Sequence, residues 1–393
     1  MKVRKAIKQS FSPNTEIQSM METFKDMVNH CIRIGLENNA STLKKLSMLS
    51  YNQLKEYNIP SYYKLTAISQ ATGRLAQMKI SIKRCIKTKS PFITKPYLVS
   101  CYGFKINYML LSIPTGNRQV ILVKLNDHTI SKLAEDGIKP KSFTITPESL
   151  CISVEKNAEE IKPESVIGID RNLRNITIST QSGTVMYKTN KLLSIKENTS
   201  HAISSFKRFD VRVKRHFQQR LGNRRSRRIQ QYLHKISKDI VQRAVNTKSI
   251  LILEDLKGIR KLYRKGNGQG KKYRRKLNSG SFYKLQRQIT YKAEWEGIPV
   301  KFVDPKRTSQ LCPICGKRLQ EDRLQLRKLL CNNCKKSMDR DVIASMNIAY
   351  KGWSRFCHPI GLSSEAVNGN LENFQPVILQ VDGSKLIIEN IGS

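Results

Sequence analysis

Acidic residues are scarce in this chain of 393 residues: 30 Asp and Glu stand against 71 Lys and Arg, a formal charge of +41. A compact state with that excess repels itself unless a polyanion supplies the counter-charge, so nucleic acid is the expected partner. Long apolar runs are missing as well. No stretch of eighteen apolar residues occurs, which excludes a membrane-spanning helix, and residues 1–10 (MKVRKAIKQS) lack the apolar run of a signal peptide. The sequence therefore predicts a soluble, intracellular protein with no membrane partner. Low-complexity tracts are absent too: 39% of residues are hydrophobic and spread along the chain, so it is expected to fold rather than serve as a basic tail.

Cysteine is present but not as a disulfide framework. Nine occur, an odd number, and five of them (Cys31, Cys85, Cys101, Cys151 and Cys357) are scattered and read as buried thiols. The other four, Cys312, Cys315, Cys331 and Cys334, form C-x2-C-x15-C-x2-C. That spacing lets two knuckles present four thiolates to one tetrahedral Zn2+. Four thiolates fill the shell and leave no place for water or substrate, so the site is structural. His358, beside Cys357, has no second ligand pair and is not read as a metal site.

The length implies two to four domains. After a strand-like opening over 1–13, apolar residues such as Ile17, Met20, Met21, Phe24 and Val28 recur at helical spacing, as do Leu65, Ile68, Leu75 and Met78, marking a helical module over 14–88. From 89 to 160, short runs rich in β-branched residues alternate with turn signals, predicting a small antiparallel barrel or sheet that includes the opening strand. Tyr62 and Tyr63 fit either base stacking or, more commonly, core packing. Next come three strands (VIGID, RNITIST, TVMYK), two basic helices over about 190–220 and 224–247, the apolar strand SILILEDL, a helix over 281–297 and the strand IPVKFV. This is an α/β order spanning 161–307, followed by the cysteine segment 308–338, a helix over 339–353 and a tail over 354–393 with two strand candidates.

Three acids close apolar stretches: Asp170 in VIGID, Glu254 in LILED and Asp341 in MDRDVIASMNIAY. An acid at the end of a buried strand is costly unless a cation compensates it, and a Mg2+ pair is such a compensation. Asp170 and Glu254 are expected on adjacent strands, with Asp341 arriving from a helix.

The phrases GIDRNLRNITIST, ILILEDL, YKAEWEGIPVKFVDPKRTSQLCPICG and DRDVIASMNIA resemble the signature of the TnpB family, transposon-encoded RNA-guided DNA endonucleases related to type V CRISPR effectors. The resemblance covers about residues 160–350. It implies an α+β multidomain fold: an RNase H-like (RuvC) α/β nuclease domain with an inserted four-cysteine zinc ribbon, preceded by an OB-like wedge β-barrel and a helical recognition module. It further implies Asp170, Glu254 and Asp341 as catalytic acids holding two Mg2+, with Mn2+ as an alternative ion. Asp339 matches only as a neighbour. Two departures stand out: Asn172 where the family commonly has glycine, and Ile343 and Ser345 in the last motif.

Residues 207–228 hold ten Lys or Arg against one Asp, and residues 257–276 hold ten with no acid. Arg212, Arg215, Arg224, Arg225, Arg227, Arg228, Lys271, Lys272, Arg274 and Arg275 are the expected nucleic-acid contacts, with a mobile GNGQG centre in the second run. By the resemblance His234 is either a further contact or a polar surface residue. The implied partners are guide RNA and double- and single-stranded target DNA in a prokaryotic cytoplasm, at the nucleoid, with monomer and dimer both open. An RNA-guided regulator that binds without cutting, and a transposase performing strand transfer, are the rival readings.

Overall fold

A computed structural model describes residues 1–116, 119–206, 211–257, 268, 270–278, 280–321, 325, 327–357, 375–382 and 385–388. The α+β chain divides into two compact units, residues 2–157 and a second made of Met1 with residues 158–393.

The first unit contains β1 (Lys2–Ser10), α1 (Thr15–Glu37), α2 (Leu43–Ser50), α3 (Ser61–Lys83), β2 (Leu98–Ser100), β3 (Lys105–Asn107), β4 (Leu110–Gly116), β5 (Gln119–Lys124), α4 (Asp127–Leu133), β6 (Lys139–Thr146) and β7 (Ser149–Asn157). Asn14 opens α1 by accepting the Ile17 N–H at 2.9 Å, a cap that satisfies one orphan donor of the first turn. The strands expected to form an antiparallel barrel or sheet lie in two sheets, ordered β1-β7-β6-β2 and β3-β4-β5, the first of which includes the opening strand. Helix α4, capped by Asn126 on the Thr129 N–H, breaks the strand run between β5 and β6. Tyr63 is fully buried and donates its hydroxyl to Pro114 O, so core packing accounts for it, whereas Tyr62 beside it is half-buried. The expectation of five buried thiols fails at three positions, one of them Cys151, which is half-buried on β7. Cys85, just beyond the end of α3, and Cys101, just after β2, are exposed because both lie in turns rather than on a packed face.

The second unit contains β8 (Ser165–Arg171), β9 (Asn175–Thr180), β10 (Gly183–Lys188), α5 (Asn190–Ser204), α6 (Val211–Asn246), β11 (Ser249–Glu254), α7 (Lys271–Asn278), α8 (Phe282–Trp295), β12 (Val300–Val303), β13 (Gln320–Glu321), β14 (Lys328–Cys331), β15 (Lys336–Asp339), α9 (Arg340–Gly352), β16 (Val377–Asp382) and β17 (Lys385–Ile388). Seven strands form one sheet in the order β12-β11-β8-β9-β10-β16-β17, with β13, β14 and β15 in a small separate sheet. The two strands of the tail thus extend the main sheet, β16 pairing parallel to β10.

Side-chain alternation sorts the sheet into two faces. Ile167, Ile169, Leu251 and Leu253 pack with Leu233, Ile236 and Ile240 of α6 and with Leu285 and Ile289 of α8. Val166, Ile250 and Ile252 face the other way and pack with Ile348, Ala349 and Trp353 at the end of α9. The two helices expected over about 190–220 and 224–247 are present as α5 and α6, with the break earlier than expected: α6 already starts at Val211 and runs unbroken for 36 residues, about 54 Å. Its C-terminal half is anchored by that core, whereas Arg212, Arg215, Arg224, Arg227 and Arg228 of its N-terminal half are exposed. No helix among the described residues is long and apolar enough to cross a membrane.

Candidate active site

Strand register sets the first two acids. β8 and β11 run parallel with Ile169 paired to Leu253, so the next residues, Asp170 one before the end of β8 and Glu254 at the end of β11, lie side by side on the α9 face. Helix α9 closes on that face because residue 168 is glycine: a Cβ there would lie 2.1 Å from Ser345 O and 2.5 Å from the Ala349 nitrogen. Asp339 caps α9, accepting the Asp341 N–H at 2.8 Å, and thereby fixes Asp341 in the first turn. Asp170, Glu254 and Asp341 then line one cleft of about 550 Å3, together with Tyr273, Thr308 and Arg327.

All three acids are buried, at 6%, 9% and 5% exposure. Burial pushes the Asp170 carboxyl well above the ordinary carboxylate range, and the charges of Glu254 and Asp341 push it further. Hydrogen bonds from the Asn172 amide and the Arg171 backbone offset part of this. Burial raises Glu254 too, against the Thr308 hydroxyl, which donates to its Oε1 at 2.8 Å. Asp341 receives the Asn175 amide at 2.6 Å and the Asn172 amide at 3.0 Å, and pairs with Arg327. Three hard oxygen donors that repel one another in a cleft fit a divalent cation of the oxygen-seeking kind. Among the described residues, however, the three carboxylates do not form a cluster as tight as the thiols, and the Asn172 amide stands between two of them.

Cys312, Cys315, Cys331 and Cys334 bring their sulfurs within 4.8 Å of one another. The Cys312–Cys334 and Cys315–Cys331 pairs are 3.9 and 3.5 Å apart. A tetrahedron with metal–sulfur bonds of about 2.3 Å has edges of about 3.8 Å, so the set fits one thiolate-bound ion. Cys312 and Cys331 share a small core with Leu319, Leu329, Met338 and Ile343 of α9. Ile343, a departure from the family motif, is therefore the side chain through which α9 grips the thiol cluster.

Arg225 is half-buried on α6. On α7 Lys271 is exposed and Arg274 half-buried, while the side chains of Lys272 and Arg275 and most of the GNGQG stretch lie outside the described residues, as does His358. His234 is exposed on α6. Sequence reasoning missed Thr308, Asn175 and Arg327. The first two lie inside quoted motifs, PKRTSQ and GIDRNLRN, but only the fold shows which acid each one holds.

A family described as Cas12f1-like, TNB domain, matches residues 282–348, which include the four cysteines and Asp341. A TnpB-like protein of Methanocaldococcus jannaschii is 34% identical over 263 residues, covering 63% of this chain and 92% of its own length. The CRISPR-associated endodeoxyribonuclease Cas12f1 of Sulfoacidibacillus thermotolerans is 34% identical over 117 residues, 30% of this chain and 25% of that one. In fold, the chain matches Cas12f1 from a complex with single guide RNA and target DNA, with a TM-score of 0.60, 13% identity and coverage of 86% of this chain and 83% of that one. The chain belongs to the TnpB family and is related to the type V effectors.

Proposed function

We propose that the protein is an RNA-guided DNA endonuclease whose RuvC-like centre, Asp170, Glu254 and Asp341, holds two Mg2+ or Mn2+ ions and hydrolyses phosphodiesters. The observation that carries the reading is the convergence of these three buried, mutually repelling carboxylates, 84 and 87 residues apart along the chain, on one cleft. When bound, the ion pair activates water and stabilises the leaving oxygen. Water attacks phosphorus in line, the P–O bond to the leaving strand breaks, and no covalent protein intermediate forms.

The chain's own groups prepare that step. Thr308 orients Glu254, Asn175 orients Asp341, and Asp339 holds the turn that carries Asp341. Arg174, Arg327 and Arg340 on the cleft wall meet the phosphate charge. Zinc in the Cys312, Cys315, Cys331 and Cys334 site forms a ribbon that supports α9 through Ile343. The exposed arginines of α6 and the basic residues of α7 lie along guide and target backbones, reading shape while base pairing reads sequence.

Incubating the purified protein–RNA complex with a plasmid matched to the RNA tests this reading. Linear product that requires divalent ions and disappears with EDTA or Asp170→Ala is expected. Tight binding with an intact plasmid would identify a regulator instead, and joined strands would identify a transposase.

A further inference from the structure

Asn172 stands where the family commonly has glycine, and its amide bridges two of the three acids. The nitrogen Nδ2 donates to Asp170 Oδ2 at 2.7 Å and to Asp341 Oδ1 at 3.0 Å. The other oxygen of Asp341, Oδ2, is already engaged by Asn175 and Arg327. An ion joining Asp170 to Asp341 must therefore use Asp341 Oδ1, the atom Asn172 now covers with an N–H. An N–H directed at a cation is repulsive, so ion binding and the present amide orientation exclude each other.

One bond rotation resolves the conflict. Turning the terminal amide by half a revolution exchanges nitrogen for oxygen at nearly the same point and needs no extra volume. Asn172 is half-exposed at the cleft, so nothing like a closed core holds the amide fixed. The spacings also suit a ligand. Oxygens at about 2.1 Å from one ion in an octahedron are separated by about 3.0 Å along each edge, close to the two distances from Asn172 to the carboxylates.

We infer that Asn172 is a swivelling, neutral fourth donor of the divalent-ion centre: its amide nitrogen bridges Asp170 and Asp341 before the ion arrives, and its amide oxygen ligates the ion afterwards. The inference rests on the assignment of Asp170, Glu254 and Asp341 as ion ligands. A neutral oxygen adds a ligand without adding a fourth charge to a cluster whose carboxylates already repel one another, and the prior hydrogen bonds keep those carboxylates at ligand spacing. The family's glycine provides neither.

Mn2+ titration of the full-length, zinc-loaded protein, read by electron paramagnetic resonance, tests it directly. Subtracting the isotherm of Asp170→Asn isolates the carboxylate centre from weaker sites. Asn172→Gly, the family's own residue, is expected to weaken this binding about tenfold, and Asn172→Asp, which retains an oxygen donor, to restore it or strengthen it. Melting temperature confirms that each variant folds. Unchanged affinity in Asn172→Gly would overturn the inference while leaving the ion centre standing. Weakening in both variants would make Asn172 a hydrogen-bond spacer only and overturn its role as a ligand. Wild-type binding that is the same in Asp170→Asn would remove the ion centre itself, and the inference with it.

Discussion

Asp170 sits where burial and two neighbouring carboxylates all oppose its charge. A carboxyl whose pKa is raised in the folded chain keeps its proton at a pH where the unfolded chain has released it, so the folded state binds more protons over that window. Stability of the ion-free protein must then fall as pH rises from the ordinary carboxylate range through the raised value, and divalent ions should restore it. Asp170→Asn, which removes the charge but keeps the shape, is expected to raise the melting temperature of the zinc-loaded protein without Mg2+ at alkaline pH, with the gain shrinking as pH falls and the wild-type carboxyl takes up its proton. Thermal melts across that range with and without Mg2+ check this. The same substitution, like Asp341→Asn, should abolish cutting while leaving nucleic-acid binding nearly unchanged. Thr308→Val removes the hydroxyl that fixes Glu254 and should lower cutting about 10- to 100-fold, readable in single-turnover rates.

The elements around the site explain why three distant acids meet. Gly168 lets α9 approach β8 backbone to backbone, and Gly168→Ala should force the helix outward, costing about 1–3 kcal/mol or more in urea unfolding and separating Asp341 from Asp170. The thiol cluster acts from the other side through Ile343, so Cys331→Ser should lower bound zinc and melting temperature together. Unchanged zinc content would contradict that supporting role. The adjacency of Asp170 and Glu254 was legible in the sequence because VIGID and LILED read as apolar strands ending in an acid, and strand period fixes which face the acid takes. The break between the two basic helices was not, because nothing local in that run of Lys and Arg marks where α6 begins, and it runs through the expected break near residues 221–223. Nor was the docking of β16 beside β10, since strand partners across nearly 200 residues leave no local signal.

At the scale of the whole molecule, the charge of +41 becomes intelligible once acids and bases are located. Asp170, Glu254 and Asp341 gather in one cleft, whereas exposed arginines line the N-terminal half of α6. Binding of RNA or of the guide–target duplex should therefore weaken steeply with salt. Replacing Arg224, Arg227 and Arg228 together by Ala should reduce the slope of log affinity against log salt by about three, with little change in the melting temperature of the free protein. A slope equal to wild type would remove α6 from the nucleic-acid surface.

One cleft, walled by Asp170, Glu254 and Asp341, is proposed to hold the ions that cut DNA. Anomalous diffraction from crystals of the protein–RNA complex soaked in Mn2+ tests it most directly. Two peaks about 3.5–4 Å apart are expected, with oxygens of all three acids within about 2.2 Å of one or other ion. A complex that cuts its matched plasmid in Mn2+ yet shows no peak in this cleft would contradict it.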